Sequence, residues 1–252
     1  MNAARFEFHA DLNDFLPRGP RFRPLEVRFR ESPSVKHLIE ACGVPHPEVA
    51  LIRINGAVVD FSAPVHDGDR VEVLPISALP AGAASPLENQ PEGEVRFILD
   101  LHLGRLAVYL RILGFDSLYR NDYEDEELAR TAGEQGRVLL TRDQRLLMRS
   151  QVRYGYWVRA LDPQEQIVEV ISRYRLAGQV KPFHRCLRCN TRLQPVEKKA
   201  VLERLEPLTR RYYHEFRRCP QCDQIFWKGS HYERMQALVD RVLALDGKRP
   251  SA

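Results

Sequence analysis

The chain has 252 residues, of which 44% are hydrophobic, and carries a formal net charge of +4. This is the composition of a soluble globular protein, long enough for two or three small domains, and no apolar run approaches the roughly 18 residues needed to span a membrane. The opening Met1-Asn2-Ala3-Ala4-Arg5-Phe6 lacks the long apolar core of a secretion signal, so a cytoplasmic protein with no membrane partner is expected.

The charge is unevenly spread. Residues 1–94 carry a net −5, residues 95–180 a net +1 and residues 181–252 a net +8. A basic C-terminal part suggests an anionic partner, with nucleic acid first among the candidates, although a solvated basic surface has the same count.

Residues 1–80 are expected to form a small α+β domain. Arg5–His9 and Leu25–Arg30 are strand-like, and Ser34–Ala41 is a short helix capped by Ser32 or Ser34 and ended by Gly43 and Pro45. Leu51-Ile52-Arg53-Ile54, the turn Asn55-Gly56 and Val58–Phe61 carry a hairpin signal, and Asp67-Gly68-Asp69 turns into a last strand, Arg70–Leu74. This order resembles the ubiquitin-like β-grasp fold, and Asn55-Gly56…Asp67-Gly68-Asp69-Arg70-Val71 is similar to the same region of small sulfur-carrier proteins. Those carriers end in a Gly-Gly carboxylate, whereas this chain continues through Pro75-Ile76-Ser77-Ala78. Docking of a protein partner, or regulation, is therefore the expected role. Residues 81–94, rich in Pro, Ala and Gly, read as a linker.

From Val95 to residue 180, strands alternate with helices, which predicts a parallel α/β sheet. Val95-Arg96-Phe97-Ile98-Leu99-Asp100 is a strand ending in an acid. Leu103, Leu106, Ala107, Leu110 and Leu113 form the apolar face of a helix stopped by Gly114. Asp116–Arg120 is a second strand, Glu126–Gln135 a helix stopped by Gly136, and Val138–Thr141 a third strand. Gln144–Arg149 is a short helix, Tyr156–Arg159 a fourth strand, and Pro163 opens a final helix to about Leu176. Residues 181–252 contain Cys186-x-x-Cys189 and Cys219-x-x-Cys222, with Tyr232–Leu245 as a terminal amphipathic helix.

Three acids, Asp100, Asp125 and Asp143, fall where strands end or helices begin. In a parallel sheet those ends open onto one crevice, and carboxylates gathered there suit Mg²⁺ or Mn²⁺. A divalent ion so held orients and activates a water and offsets charge developing on a phosphodiester. Each acid has a local alternative: Asp125 or Asp122 as an N-cap, Asp143 as cap of the helix after it, Asp100 as a cap. Arg105 and Arg142, beside the acids, would hold a phosphate or simply neutralise them. The four paired cysteines suit tetrahedral Zn²⁺ in a closed, structural site. Arg210-Arg211-Tyr212-Tyr213-His214-Glu215-Phe216-Arg217-Arg218 interleaves basic and aromatic residues. That pattern suits single-stranded or structured RNA held by Arg210, Arg211, Tyr212, Arg217 and Arg218, or a half-buried ribbon strand with solvated arginines. Cys42 reads as core packing.

The runs Phe97-Ile98-Leu99-Asp100…Leu103-Gly104-Arg105-Leu106…Leu110-Arg111-Ile112-Leu113-Gly114-Phe115-Asp116, Asp125-Glu126-Glu127-Leu128 and Leu139-Leu140-Thr141-Arg142-Asp143 resemble the ribonuclease domain named after the C-terminus of the Mut-seven exonuclease, a PIN-like nuclease. The resemblance implies a β-grasp domain before the nuclease core and a paired-cysteine segment after it. It also implies a metal-dependent ribonuclease whose acids are Asp100, Asp125 and Asp143, with Thr141 as the small hydroxyl residue of a Thr-x-Asp strand end. Asp162 is the candidate fourth acid and is also a fair N-cap ahead of Pro163. The alternative is an inactive RNA-binding or adaptor protein that works through its zinc ribbon and β-grasp domain.

Overall fold

A computed structural model describes residues 1–80, 83, 85–87 and 90–245. Five residues of the expected 81–94 linker and the last seven of the chain lie outside that description. The chain divides into two compact units, Met1–Gly93 with Glu124–Trp157, and Glu94–Tyr123 with Val158–Ala252.

In the first unit, β1 (Asn2–Phe8), β2 (Leu25–Phe29), α1 (Val35–Ala41), β3 (Val49–Ile54), β4 (Ala57–Val59) and β5 (Arg70–Pro75) form the N-terminal α+β fold. The sheet order is β2-β1-β5-β3-β4, with β1 and β5 parallel and the other pairs antiparallel. Phe6, Phe8, Leu38, Ile39, Ile52, Val71 and Val73 meet in one core between sheet and helix. Ser34 caps α1 by accepting from the His37 amide. Cys42 packs against this core, and burial pushes its thiol up to about 11. At the β3–β4 hairpin Asn55 and Gly56 both have positive φ, 52° and 86°, which is what the Asn-Gly pair supplies. The Asn55 amide also donates to Asp69 Oδ1 at 2.7 Å and accepts from the Arg70 amide at 2.9 Å. The Asn55-Gly56…Asp69-Arg70 pattern is therefore turn chemistry that joins two loops.

The same unit holds α3 (Asp125–Gln135), β8 (Val138–Thr141), α4 (Gln144–Leu147) and β9 (Gly155–Trp157), with β8 and β9 parallel. The N-terminal fold meets this segment through a 3-10 turn, His46–Glu48. His46 Nε2 lies 2.8 Å from the Val152 carbonyl, and the fully buried Glu48 accepts from the Trp157 amide at 2.7 Å. The Phe15 and Trp157 rings stand 5.2 Å apart, and Trp157 packs on the N-terminal core.

In the second unit, β6 (Arg96–Leu99), α2 (Gly104–Ile112) and β7 (Asp116–Tyr119) make a β-α-β unit with β6 parallel to β7. Each unit thus carries one parallel strand pair of the α/β pattern, β8 with β9 in the first and β6 with β7 in the second, with helices between the strands in sequence. Helix α5 (Pro163–Tyr174) packs on α2 and on the terminal α8 (Tyr232–Leu243). Leu103, Leu106, Ala107, Leu110 and Leu113 are all buried, as the helical spacing predicts. Gly114 ends α2 at φ 96°, where a Cβ would stand 2.1 Å from the Lys181 carbonyl oxygen. Between the cysteine pairs come β10 (Gln194–Val196), α6 (Lys198–Val201), α7 (Pro207–Tyr212) and β11 (Phe216–Arg218), and β12 (Ile225–Trp227) follows the second pair, the strands forming one antiparallel sheet. Val201, Leu205, Phe216 and Ile225 are its small core.

Several boundaries differ from the sequence reading, three of them with a bearing on the site. Helix α4 is one turn, ending at Leu147 rather than Arg149. Strand β9 stops at Trp157 because the amides of Arg159 and Ala160 donate to the Glu169 carboxylate on α5, both at 2.9 Å, leaving the strand ladder. The basic-aromatic run Arg210–Arg218 is not continuous, since its first half closes α7 and only Phe216–Arg218 is strand.

Replacing Glu48 with Ala is expected to strip the Trp157 amide of its acceptor and cost about 1–3 kcal/mol of stability. Glu48→Gln, which keeps an acceptor oxygen, should lose less. Urea denaturation of the full chain checks this, and equal midpoints for wild type and Glu48→Ala would contradict it.

Candidate functional site

Each expected acid sits at an element end, and the structure resolves its local alternative. Asp100 is buried directly after β6, and its Oδ1 accepts from the His102 amide at 2.9 Å, capping a 3-10 turn. Asp143 is exposed and caps α4 by accepting from the Arg145 amide at 2.8 Å. Its own amide donates to Thr141 Oγ1 at 2.8 Å, and Thr141 is fully buried at the end of β8. The threonine hydroxyl thus fixes the turn that presents Asp143. Asp162 caps α5, accepting from the amides of Gln164 at 2.8 Å and Glu165 at 3.2 Å.

Neither Asp122 nor Asp125 caps α3. That position falls to Glu124, whose side chain makes no capping bond, and Asp122 pairs with Arg120 at 3.0 Å. Asp125 is exposed in the first helical turn, and its carboxylate makes no hydrogen bond or ion pair among the described residues. There the helix dipole favours a negative charge. Arg105 is exposed in the first turn of α2, and Arg142 is half-buried with its carbonyl accepting from Trp157 Nε1 at 3.2 Å.

The four cysteines do come together. Their sulfurs lie within 4.8 Å of one another, with Cys186 to Cys222 at 3.5 Å and Cys189 to Cys219 at 3.3 Å. These separations are far beyond the roughly 2.05 Å of a disulfide and match sulfurs arranged around one ion. The two loops are built alike. Residues Asn190 and Asp223, each following the second cysteine of its pair, have left-handed φ of 71° and 61°. Their amides donate to the carbonyls of Cys186 at 2.9 Å and Cys219 at 3.0 Å. Such a group could hold a zinc ion.

The first loop is bound to the α/β core by a residue that the sequence reading left unassigned. Arg111, buried at the end of α2, donates to the carbonyls of Ser117, Leu187 and Arg188 at 2.8–3.2 Å. Burial lowers the pKa of its guanidinium, while the negative charges of Cys186, Cys189 and Asp116 act in the opposite sense. Asn190 adds two bonds, donating to Asp116 at 2.9 Å and accepting from the Ser117 amide at 3.0 Å. The available signal was an arginine inside the apolar run Tyr109-Leu110-Arg111-Ile112-Leu113. A second close group, Glu7, His9 and Glu72, lies on the N-terminal sheet, where Glu7 and Glu72 are directly opposed and Glu72 is 3.7 Å from Arg53.

The residues expected to grip RNA divide by their surroundings. Arg210 donates to the carbonyls of Leu205 at 2.7 Å and Glu203 at 3.1 Å, bracing the turn before α7. Arg218 pairs with Asp223, whose carboxyl it holds below the ordinary range, with Arg204 assisting. Arg211 and Tyr212 are exposed on α7, the guanidinium 5.5 Å from the ring centre. Arg217 is half-buried on the central ribbon strand, with Nη1 3.2 Å from His184 Nδ1.

Elemental analysis of the purified chain is expected to find one thiolate-held metal ion, lost in Cys219→Ser together with much of the ribbon's thermal stability. A metal-free wild type whose melting the variant leaves unchanged would contradict this. Arg111→Met, which leaves carbonyls of both knuckle and core without a donor, should cost about 2–4 kcal/mol in the same melting assay.

Searches among curated proteins and solved structures return no match. A family model described as Mut7-C ubiquitin matches residues 1–79, and one described as Mut7-C RNAse domain matches residues 95–239, a span that takes in the α/β strands, both cysteine pairs and most of α8. More than half of the chain falls within that second match, and the chain belongs to the Mut7-C RNAse domain family.

Proposed function

We propose that this chain is a divalent-metal-dependent ribonuclease that hydrolyses RNA phosphodiester bonds with Asp100, Asp125 and Asp143 as its metal-holding acids. The observation that carries the reading is the Mut7-C RNAse match across residues 95–239, together with these acids at the ends of their elements. Hard carboxylate oxygens suit Mg²⁺ or Mn²⁺. Magnesium in particular keeps several waters and is bound through one or two carboxylates plus substrate phosphate. Bound there, such an ion supplies an activated water and charge to offset that developing on the phosphodiester.

The chain's own residues provide the positioning. Thr141 Oγ1 holds the backbone of Asp143, and Asp143 in turn caps α4, so its carboxylate is set at a fixed angle to β8. Asp125 brings a carboxylate committed to no other bond among the described residues. Arg105, exposed and with no ion pair among the described residues, is suited to a phosphate, and Arg142 is the second candidate. Asp162 spends Oδ1 on two amides of α5 and is a cap first, a fourth acid second. The four cysteines would hold Zn²⁺ in a closed site that stabilises the ribbon and leaves no position for substrate. The basic residues 181–252 would face the RNA, which we place in the cytoplasm.

A second reading, RNA binding without cleavage, is favoured by one observation: Asp100, Asp143 and Asp162 each already serve as helix caps. Incubating end-labelled single-stranded RNA with the full chain separates the two. Cleavage is expected with Mn²⁺ or Mg²⁺, none with chelator, and Asp143→Asn should lose about 100-fold or more in rate while still binding RNA. Binding without metal-dependent cleavage would establish the second reading.

A further inference from the structure

The antiparallel register of the ribbon sets Pro195, Arg217 and Phe226 directly opposite one another on β10, β11 and β12, on one face of the sheet. The ribbon's own core uses the other face, where Val196, Phe216 and Ile225 pack on Val201 and Leu205. The first face is therefore not needed to hold the ribbon together. It borders a cavity of about 480 Å³ that Phe183, Tyr232 and Met235 also line.

The cavity walls are aromatic and half-exposed. The Phe183 and Tyr232 rings lie 4.8 Å apart at 38°, Phe226 is half-buried on β12, and Trp227 beside it is 39% exposed. The volume is that of a small-ligand pocket. Its charge is positive in effect. The two glutamates at the rim are matched by lysines, Glu215 with Lys228 at 3.1 Å and Glu197 with Lys199 at 2.6 Å. Arg217 has no carboxylate partner among the described residues, only the His184 ring and the Phe183 carbonyl. The surrounding segment carries a net +8.

We propose that this groove takes a nucleobase of single-stranded RNA, stacked against Phe226 and Tyr232, with Arg217 on the adjoining phosphate. A flat apolar ring joined to an anion is the ligand whose two halves match a ring-lined slot with an unneutralised guanidinium at its edge. An apolar peptide would use the rings but leave Arg217 without a partner. The inference deepens the ribonuclease reading and rests on it for the class of nucleic acid, but its test does not depend on cleavage.

The test is fluorescence anisotropy of a labelled oligouridylate and of an abasic oligomer of equal length, with the full chain and no added divalent ion. The wild type should bind the oligouridylate about 10-fold more tightly than the abasic oligomer. Phe226→Leu, which keeps apolar bulk and removes the aromatic face, should erase most of that difference, and Phe226→Tyr should retain it. Tyr232→Phe should also retain it, and Arg217→Ala should weaken both oligomers. Equal affinity for the two oligomers, or a Phe226→Leu protein indistinguishable from wild type, would overturn the proposal, as would parallel loss for both oligomers in Phe226→Leu. Metal-dependent cleavage with no base dependence of binding would remove the groove and leave the nuclease. Base-dependent binding with no cleavage would do the reverse.

Discussion

A buried guanidinium joins the parts of the second unit. Arg111 sits at the end of α2, where the helix leaves carbonyls unsatisfied, and its five N–H donors reach β7 through Ser117 and the first cysteine loop through Leu187 and Arg188. Burying a cation costs several kcal/mol unless its donors are satisfied and a counter-charge is near. Both conditions hold, since carbonyls take the donors and Asp116 supplies negative charge, with Cys186 and Cys189 acting in the same sense. Four thiolates around one Zn²⁺ carry a net negative charge, so a fixed cation beside them is also what the cluster needs. The cysteine ribbon is in this way part of the α/β fold rather than an appendage, and the Mut7-C RNAse match runs across both without a break.

The N-terminal fold plays a comparable part in the other unit. It would be easy to treat a ubiquitin-like domain as a free adaptor, but His46 and Glu48 are engaged with the chain's own residues 152 and 157. Trp157 then donates to the carbonyl of Arg142, one residue before Asp143. The chain of contacts Glu48–Trp157–Arg142 ties the N-terminal fold to the loop that carries a proposed metal-holding acid. Its sequence neighbours on that loop, Thr141 and Arg145, fix the same acid from within.

Local chemistry was legible in the sequence, and long-range polar chemistry was not. Helix stops at Gly114 and Gly136 follow from residues that reach left-handed φ without strain, and both are found there at 96° and 59°. The strand Val138–Thr141 and the helix beginning at Pro163 were set by apolar runs and by proline's fixed φ. The cysteine spacing announced a cluster, because a pair of knuckles has few other uses. By contrast, Arg111 finds its carbonyls 76 and 77 residues away, and Glu48 its amide 109 away. No periodicity encodes such partners. The run Arg210–Arg218 shows the same limit: its arginines look interchangeable in sequence, yet Arg210 braces a turn and Arg218 pairs with Asp223. Only Arg217 of the three faces the aromatic cavity. The acids stand between these cases. Their places at element ends were readable, and so was their alternative use as caps, which Asp100, Asp143 and Asp162 do adopt.

The central claim is hydrolysis by a water held and activated at the aspartates, with no nucleophile from the protein or from the RNA. Cleaving a defined RNA in ¹⁸O-labelled water and weighing the product ends tests it most directly. The account predicts one ¹⁸O atom in the new terminal phosphate and no 2′,3′-cyclic phosphate. A 2′,3′-cyclic phosphate would show that the ribose hydroxyl attacks instead, and a phosphate without label would show that water does not attack phosphorus; either would contradict the role given to Asp100, Asp125 and Asp143.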